Sequence, residues 1–130
     1  MIALDTNLLA RLLLQDDKAQ HARVKALLGS RQIFTAPVTV FLELVWVLEA
    51  NDCTPVEIQN GLSLLLRLPN FKPPHADLVR AALAHYAQGM EFADALHLAL
   101  SRSDQAFMTF DKAFVRRAAK LAVMPQVLAA

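Results

Sequence analysis

Residues 38–48 read VTVFLELVWVL, a stretch in which ten of eleven residues are apolar or threonine and one, Glu43, is an acid. A helix made from such a run has no polar face to turn towards water, so the sequence predicts a helix buried nearly all round. Such a helix needs other elements packed on more than one side. Short apolar segments at 2–4, 33–36 and 106–109, with weaker ones at 70–72 and 122–124, read as strands. Between them lie helix signals. Asp5-Thr6-Asn7 caps a helix through Leu14, Asp16-Asp17 starts one to about Leu28 before Gly29, and Pro37 opens the apolar run. Thr54-Pro55 with Glu57 forms a capping box. Further helices are predicted from His75 to Gln88, from Glu91 to about Ser101, and from Asp111 to about Lys120. Strands alternating with helices predict an α/β fold, with a small parallel sheet of about four to five strands flanked by helices on both faces.

The chain has 130 residues, 55% of them hydrophobic, which suits one domain over residues 1–130. Its single cysteine, Cys53, cannot close an internal disulfide or build a cysteine-rich zinc site, so a reducing cytoplasm is the expected setting. Asp5, Arg11, Glu43, Glu49, Asp94 and Arg102 interrupt every apolar stretch well short of the roughly 18 residues that a membrane span requires. The amino-terminal MIALDTNLLARLLL has no positive leader and carries an acid where a secretory signal is apolar, so no membrane partner is expected. A net charge of +1 excludes a global field for nucleic acid, and any such partner must be met locally. The apolar excess suggests that another chain covers part of the surface.

Acids placed where the pattern asks for apolar side chains are the informative feature. Glu43 has no basic residue within the adjacent helical turns, and Asp94 in FADALHLAL has only His97 as an ionisable neighbour on its own face. An unpaired buried carboxylate costs several kcal/mol or takes up a proton, so something must compensate. Oxygen donors without nearby cysteines or spaced histidines suit a hard divalent cation, magnesium or manganese, better than zinc. Asp5 and Asp111 each follow a predicted strand and precede a helix, at the edge where open α/β sheets gather ligands. Taken singly, each is also an ordinary helix cap. Glu91 reads chiefly as a helix-start acid, while Trp46, Phe41 and residues 62–68 read as core.

With LDTNLL at 4–9, LEL around Glu43, FADALHLAL around Asp94 and TFDKAF at 109–114, the chain resembles PIN-domain ribonucleases, most closely the VapC-like toxins of type II toxin-antitoxin pairs. The resemblance spans essentially the whole chain and rests on the ordered set Asp, Glu, Asp, Asp. It implies a single PIN-like domain, magnesium or manganese held by Asp5, Glu43, Asp94 and Asp111, and cleavage of RNA. It also implies a homodimer neutralised by a cognate antitoxin. Thr6 and Thr109 match hydroxyl positions that orient water or support an acid, with Asn7 and Ser101 as weaker matches.

Hydrolysis of a phosphodiester by such a site needs an activated water, a neutralised phosphate and a stabilised leaving oxygen, all of which divalent metal supplies. The expected assignment puts Asp5 and Asp94 on a first ion, Glu43 assisting, and Asp111 completing a second. Lys112, Arg116 and Lys120, at i,i+4 spacing with Arg117 beside them, form a stripe suited to RNA phosphates, and Arg11 and Arg102 are comparable cations. Two other readings remain open. One is an aspartyl-phosphate enzyme, phosphatase or receiver-like, against which stands the absence of a second aspartate two residues after Asp5. The other is a non-catalytic protein-binding module whose acidic groove grips a basic tail.

Overall fold

A computed structural model describes residues 1–130. The chain forms two compact units, residues 1–76 and 77–130. The first contains β1 (Ile2–Ala3), α1 (Thr6–Leu14), α2 (Lys18–Leu28), β2 (Phe34–Thr35), α3 (Val38–Ala50) and α4 (Pro55–Leu66). Local chemistry sets most of these boundaries. Asp5 caps α1, Asp17 caps α2 by accepting from the Gln20 amide, and Thr54 with Glu57 closes a reciprocal capping box on α4. The Glu57 carboxyl is held below the usual range by the Thr54 amide and hydroxyl it bonds. β1 and β2 pair in parallel, Ile2 opposite Phe34, and residues 70–72 contribute a single bridge from Phe71 to Phe34.

In this unit α1 packs on α2 and α3, and α3 on α4. Leu9, Phe41, Leu44, Val45, Ile58, Leu62 and Leu65 are fully enclosed, and the Phe41 and Phe71 rings meet at 6.2 Å. Gly61 of α4 faces α1, where a Cβ would meet the Leu13 side chain at an ordinary contact distance of 3.4 Å. One expectation fails. α3 is not buried all round: its core face is Val40, Phe41, Leu44, Val45 and Leu48, while Thr39, Glu43, Trp46 and Glu49 lie on an exposed face. Apolar composition reveals that a helix can be buried, not how many of its faces are covered. Trp46 is 55% exposed and Leu64 is also exposed, so neither belongs to the core as expected.

The second unit contains α5 (Ala76–Ala87), which starts at the boundary, then α6 (Phe92–Leu100), β3 (Ala106–Thr109), α7 (Lys112–Leu121) and β4 (Gln126–Ala129). Gly89, at φ +107°, ends the turn after α5 in a conformation that side-chain-bearing residues rarely adopt. β3 and β4 pair in parallel over four residues, and α7 packs against both. Phe107 on β3 lies 5.7 Å from Phe114 of α7 and stacks on His97 of α6 at 6.1 Å, and Tyr86 meets Phe92 edge-on.

The last strand lies four residues beyond the predicted 122–124. Ala122 ends α7 in the left-handed conformation, and the strand begins only after Pro125. The fold is thus α/β with seven helices and four strands, arranged as two separate two-stranded parallel sheets. The single sheet of about four to five strands is not what these pairings show. No helix is long and apolar enough to cross a membrane.

Candidate functional site

In the first unit the chain leaves β1 through Leu4 and reaches Asp5, the N-cap of α1. Asp5 is exposed, and only its Oδ1 is engaged, accepting from the Thr6 amide at 2.7 Å. The cap uses one carboxylate oxygen and leaves the other for a ligand. The next residue, Thr6, is the one buried polar side chain of the protein, 5% exposed, and its hydroxyl donates to Oε1 of Glu43 at 3.4 Å. That long hydrogen bond ties the start of α1 to the middle of α3 and joins Asp5, Thr6 and Glu43 into one locus. Glu43 is exposed, so the expected cost of a buried unpaired charge does not arise. What stands out instead is its tether to a buried hydroxyl.

In the second unit the same logic repeats. Asp111 follows β3 and caps α7, its Oδ1 accepting from the Phe114 amide at 3.1 Å, while its own amide donates to the Thr109 hydroxyl at 3.1 Å. Thr109 therefore acts on the backbone that carries Asp111. Asp94 sits in the first turn of α6, half-buried. Its carboxyl is held above the usual aspartate range, first by burial and then by the negative charges of Glu91 and Asp111, against smaller opposing pulls from His97 and Arg117. Two neighbouring acids thus add to the effect of burial on Asp94, and the pulls of His97 and Arg117 do not offset it. Glu91, the α6 N-cap, makes no capping bond with its side chain, so its charge on Asp94 is an effect the helix-start reading missed.

The donor chemistry suits magnesium or manganese: every group is a carboxylate oxygen, and an anionic locus that pushes Asp94 towards protonation is one a cation would relieve. No group of three or more histidine, cysteine, aspartate or glutamate side chains in either unit gathers into a complete cage.

Other expectations sort clearly. Lys112, Arg116, Arg117 and Lys120 are all exposed on α7, which carries no acid within its length and buries Phe114 and Ala118 on the opposite side. Arg11 and Arg102 are already engaged, with Asp16 at 2.6 Å and Asp77 at 3.1 Å, and are not free cations as expected. Asp16 and Asp77 are the partners in those pairs. Burial raises the Cys53 thiol above its ordinary range, with help from Glu57 and Asp52, which argues against a nucleophile. Phe110, between Thr109 and Asp111, is 87% exposed, and the sequence reading passed over it.

A search of curated proteins finds no significant match to the chain. The family model described as the PIN domain matches residues 2–120, a span that includes all four acids and both threonines. The chain belongs to the PIN domain family.

Proposed function

We propose that this protein is a metal-dependent endoribonuclease and the toxin component of a type II toxin-antitoxin pair, VapC-like, acting as a homodimer and restrained by a cognate antitoxin. PIN domains are typically metal-dependent nucleases that use magnesium or manganese, which supports the hydrolase class. The observation that carries the reading is Asp94, whose carboxyl is held above the usual range by burial and by the charges of Glu91 and Asp111, with His97 and Arg117 pulling the other way.

In this reading Asp5, Glu43, Asp94 and Asp111 are the metal ligands. Thr6 holds the Glu43 carboxylate in place, and Thr109 holds the backbone of Asp111. The N-cap bonds of Asp5 and Asp111 fix each carboxylate on the end of a helix, so neither has to be ordered when substrate arrives. The bound divalent ion supplies a lowered pKa for water and charge withdrawal from the scissile phosphate. Lys112, Arg116 and Lys120 take phosphates of the flanking RNA.

The test is purified protein, free of any partner, incubated with total RNA. Cleavage is expected with magnesium or manganese, is expected to stop in EDTA, and is expected to be lost in Asp5→Asn and Asp94→Asn. Full activity of Asp5→Asn at saturating metal would remove it from the ligand set, and an inert wild type under every metal condition would sink the nuclease reading. Growth arrest on expression, relieved by a co-expressed antitoxin, tests the toxin role, and light scattering tests the homodimer.

A further inference from the structure

Phe110 is the most exposed large apolar side chain in the protein, at 87%. Single exposed apolar residues are common and need no explanation by themselves. This one differs in how it is held. The unit's demand for aromatic burial is met by Phe107 and Phe114, which pack on each other, while Phe110 between them is left outside. The backbone on both sides is pinned: Thr109 accepts the Asp111 amide, Asp111 accepts the Phe114 amide, and the Thr109 carbonyl accepts the Ala130 amide at 2.9 Å. The ring therefore projects from a fixed turn and does not ride on a loose loop. Its next neighbour is Asp111, and Lys112 follows as the first residue of a helix with four exposed cations and no acid within it.

An exposed aromatic beside a run of cations is the pairing by which proteins hold unpaired nucleic acid, the ring stacking on a base while the cations take the backbone. We propose that Phe110 is a stacking platform for an unpaired RNA base next to the bond being cut, and so a residue that positions substrate and favours single-stranded over paired RNA. This rests on the nuclease reading for its site but makes a separate claim about binding. Stacking needs the π face only, so tyrosine or tryptophan should replace Phe110 and alanine should not.

The chain has one tryptophan, Trp46, which permits a direct reporter. Phe110→Trp combined with Trp46→Phe places the sole indole at the turn, and Asp94→Asn keeps the RNA intact during titration. A ten-nucleotide uridine RNA should quench this fluorescence, and a fully abasic strand of the same length should not. Phe110→Ala should weaken binding of the uridine RNA roughly 5- to 100-fold. Phe110→Tyr should stay within about twofold, and the salt dependence should be unchanged because no charge is lost.

Equal quenching by the abasic strand, no quenching by either strand, or unaltered binding by Phe110→Ala would each overturn the proposal. A change of oligomeric state in Phe110→Ala with unaltered RNA binding would assign the ring to a protein contact instead. Base-dependent quenching in a protein whose wild type cleaves nothing would leave the stacking claim standing and remove the nuclease reading. Cleavage by the wild type with no effect of Phe110→Ala on KM and no base-dependent quenching of the position-110 indole would do the reverse.

Discussion

The buried hydroxyl of Thr6 donates to the exposed carboxylate of Glu43 at 3.4 Å, joining positions 37 residues apart in the chain. At that length the bond contributes little to stability, at most the lower part of the roughly 0.5–1.5 kcal/mol typical of a hydrogen bond. Its value is orientation. Thr6→Val keeps the shape and removes the donor, so it is expected to fold with nearly the wild-type melting temperature while RNA cleavage falls about 10- to 100-fold, as for loss of a group that orients a metal ligand. Thr6→Ser should restore most of the rate. A Thr6→Val protein with full activity and a full metal response would show the contact to be incidental.

Asp94 carries a cost that function would explain. Because its native pKa is raised, the folded state holds its proton more tightly than the unfolded state, and the stability it contributes is present at low pH and lost as pH rises through the raised value. At neutral pH without metal, the charged carboxylate therefore opposes folding. Asp94→Asn is expected to melt at a higher temperature than wild type at pH 7 in EDTA, and this advantage should shrink as pH falls through the raised value and be gone below the ordinary aspartate range. Magnesium should raise the wild-type melting temperature more than that of the variant. Calorimetry across pH, with and without metal, reads both effects, and a variant that is less stable at pH 7 in EDTA would contradict the assignment.

Much of this organisation was legible because it is local. Asp5, Asp17, Thr54 with Glu57, and Asp111 act on amides within a few residues, so the helix starts and the 106–109 strand could be read directly. The placement of Asp5 and Asp111 where strand gives way to helix was legible for the same reason. What failed was non-local. Nothing in VTVFLELVWVL says that Trp46 and Glu43 share an uncovered face, because coverage depends on what packs there. The final strand was displaced because Ala122 adopts a left-handed cap that only glycine would have announced. Strand pairing, the least local property of all, is seen as two pairs and not as the single sheet expected. Phe110 was missed because an aromatic beside a strand reads as core until its exposure is known.

Gly61 offers a test of the packing between α1 and α4. A glycine inside a helix is about 1 kcal/mol less favourable than alanine. An added Cβ would meet only the Leu13 side chain, at 3.4 Å and beyond, an ordinary contact with a flexible group. Gly61→Ala should therefore stabilise the protein, by up to about 1 kcal/mol in denaturant unfolding. A loss of stability would mean that Leu13 cannot yield. Gly89→Ala should do the opposite, since φ +107° is strained for alanine although nothing lies within 4 Å of its Cβ.

The cationic face of α7 makes a quantitative prediction about salt. Lys112, Arg116 and Lys120 are exposed, recur every fourth residue, and none is in an ion pair, so each is available to a phosphate. For single-stranded RNA the logarithm of the binding constant falls with the logarithm of salt by about 0.7 per phosphate neutralised. Replacing all three with alanine removes up to three such contacts and should reduce the slope by about 2, while binding at low salt weakens across all sequences alike. Arg11→Ala and Arg102→Ala serve as controls, because those guanidinium groups are committed to Asp16 and Asp77 and should change the slope far less. Filter binding of a short RNA from low to moderate salt, with the Asp94→Asn protein to prevent cleavage, measures all of these slopes together. If the triple variant keeps the parental slope, the RNA backbone runs elsewhere and α7 is only a solvated helix.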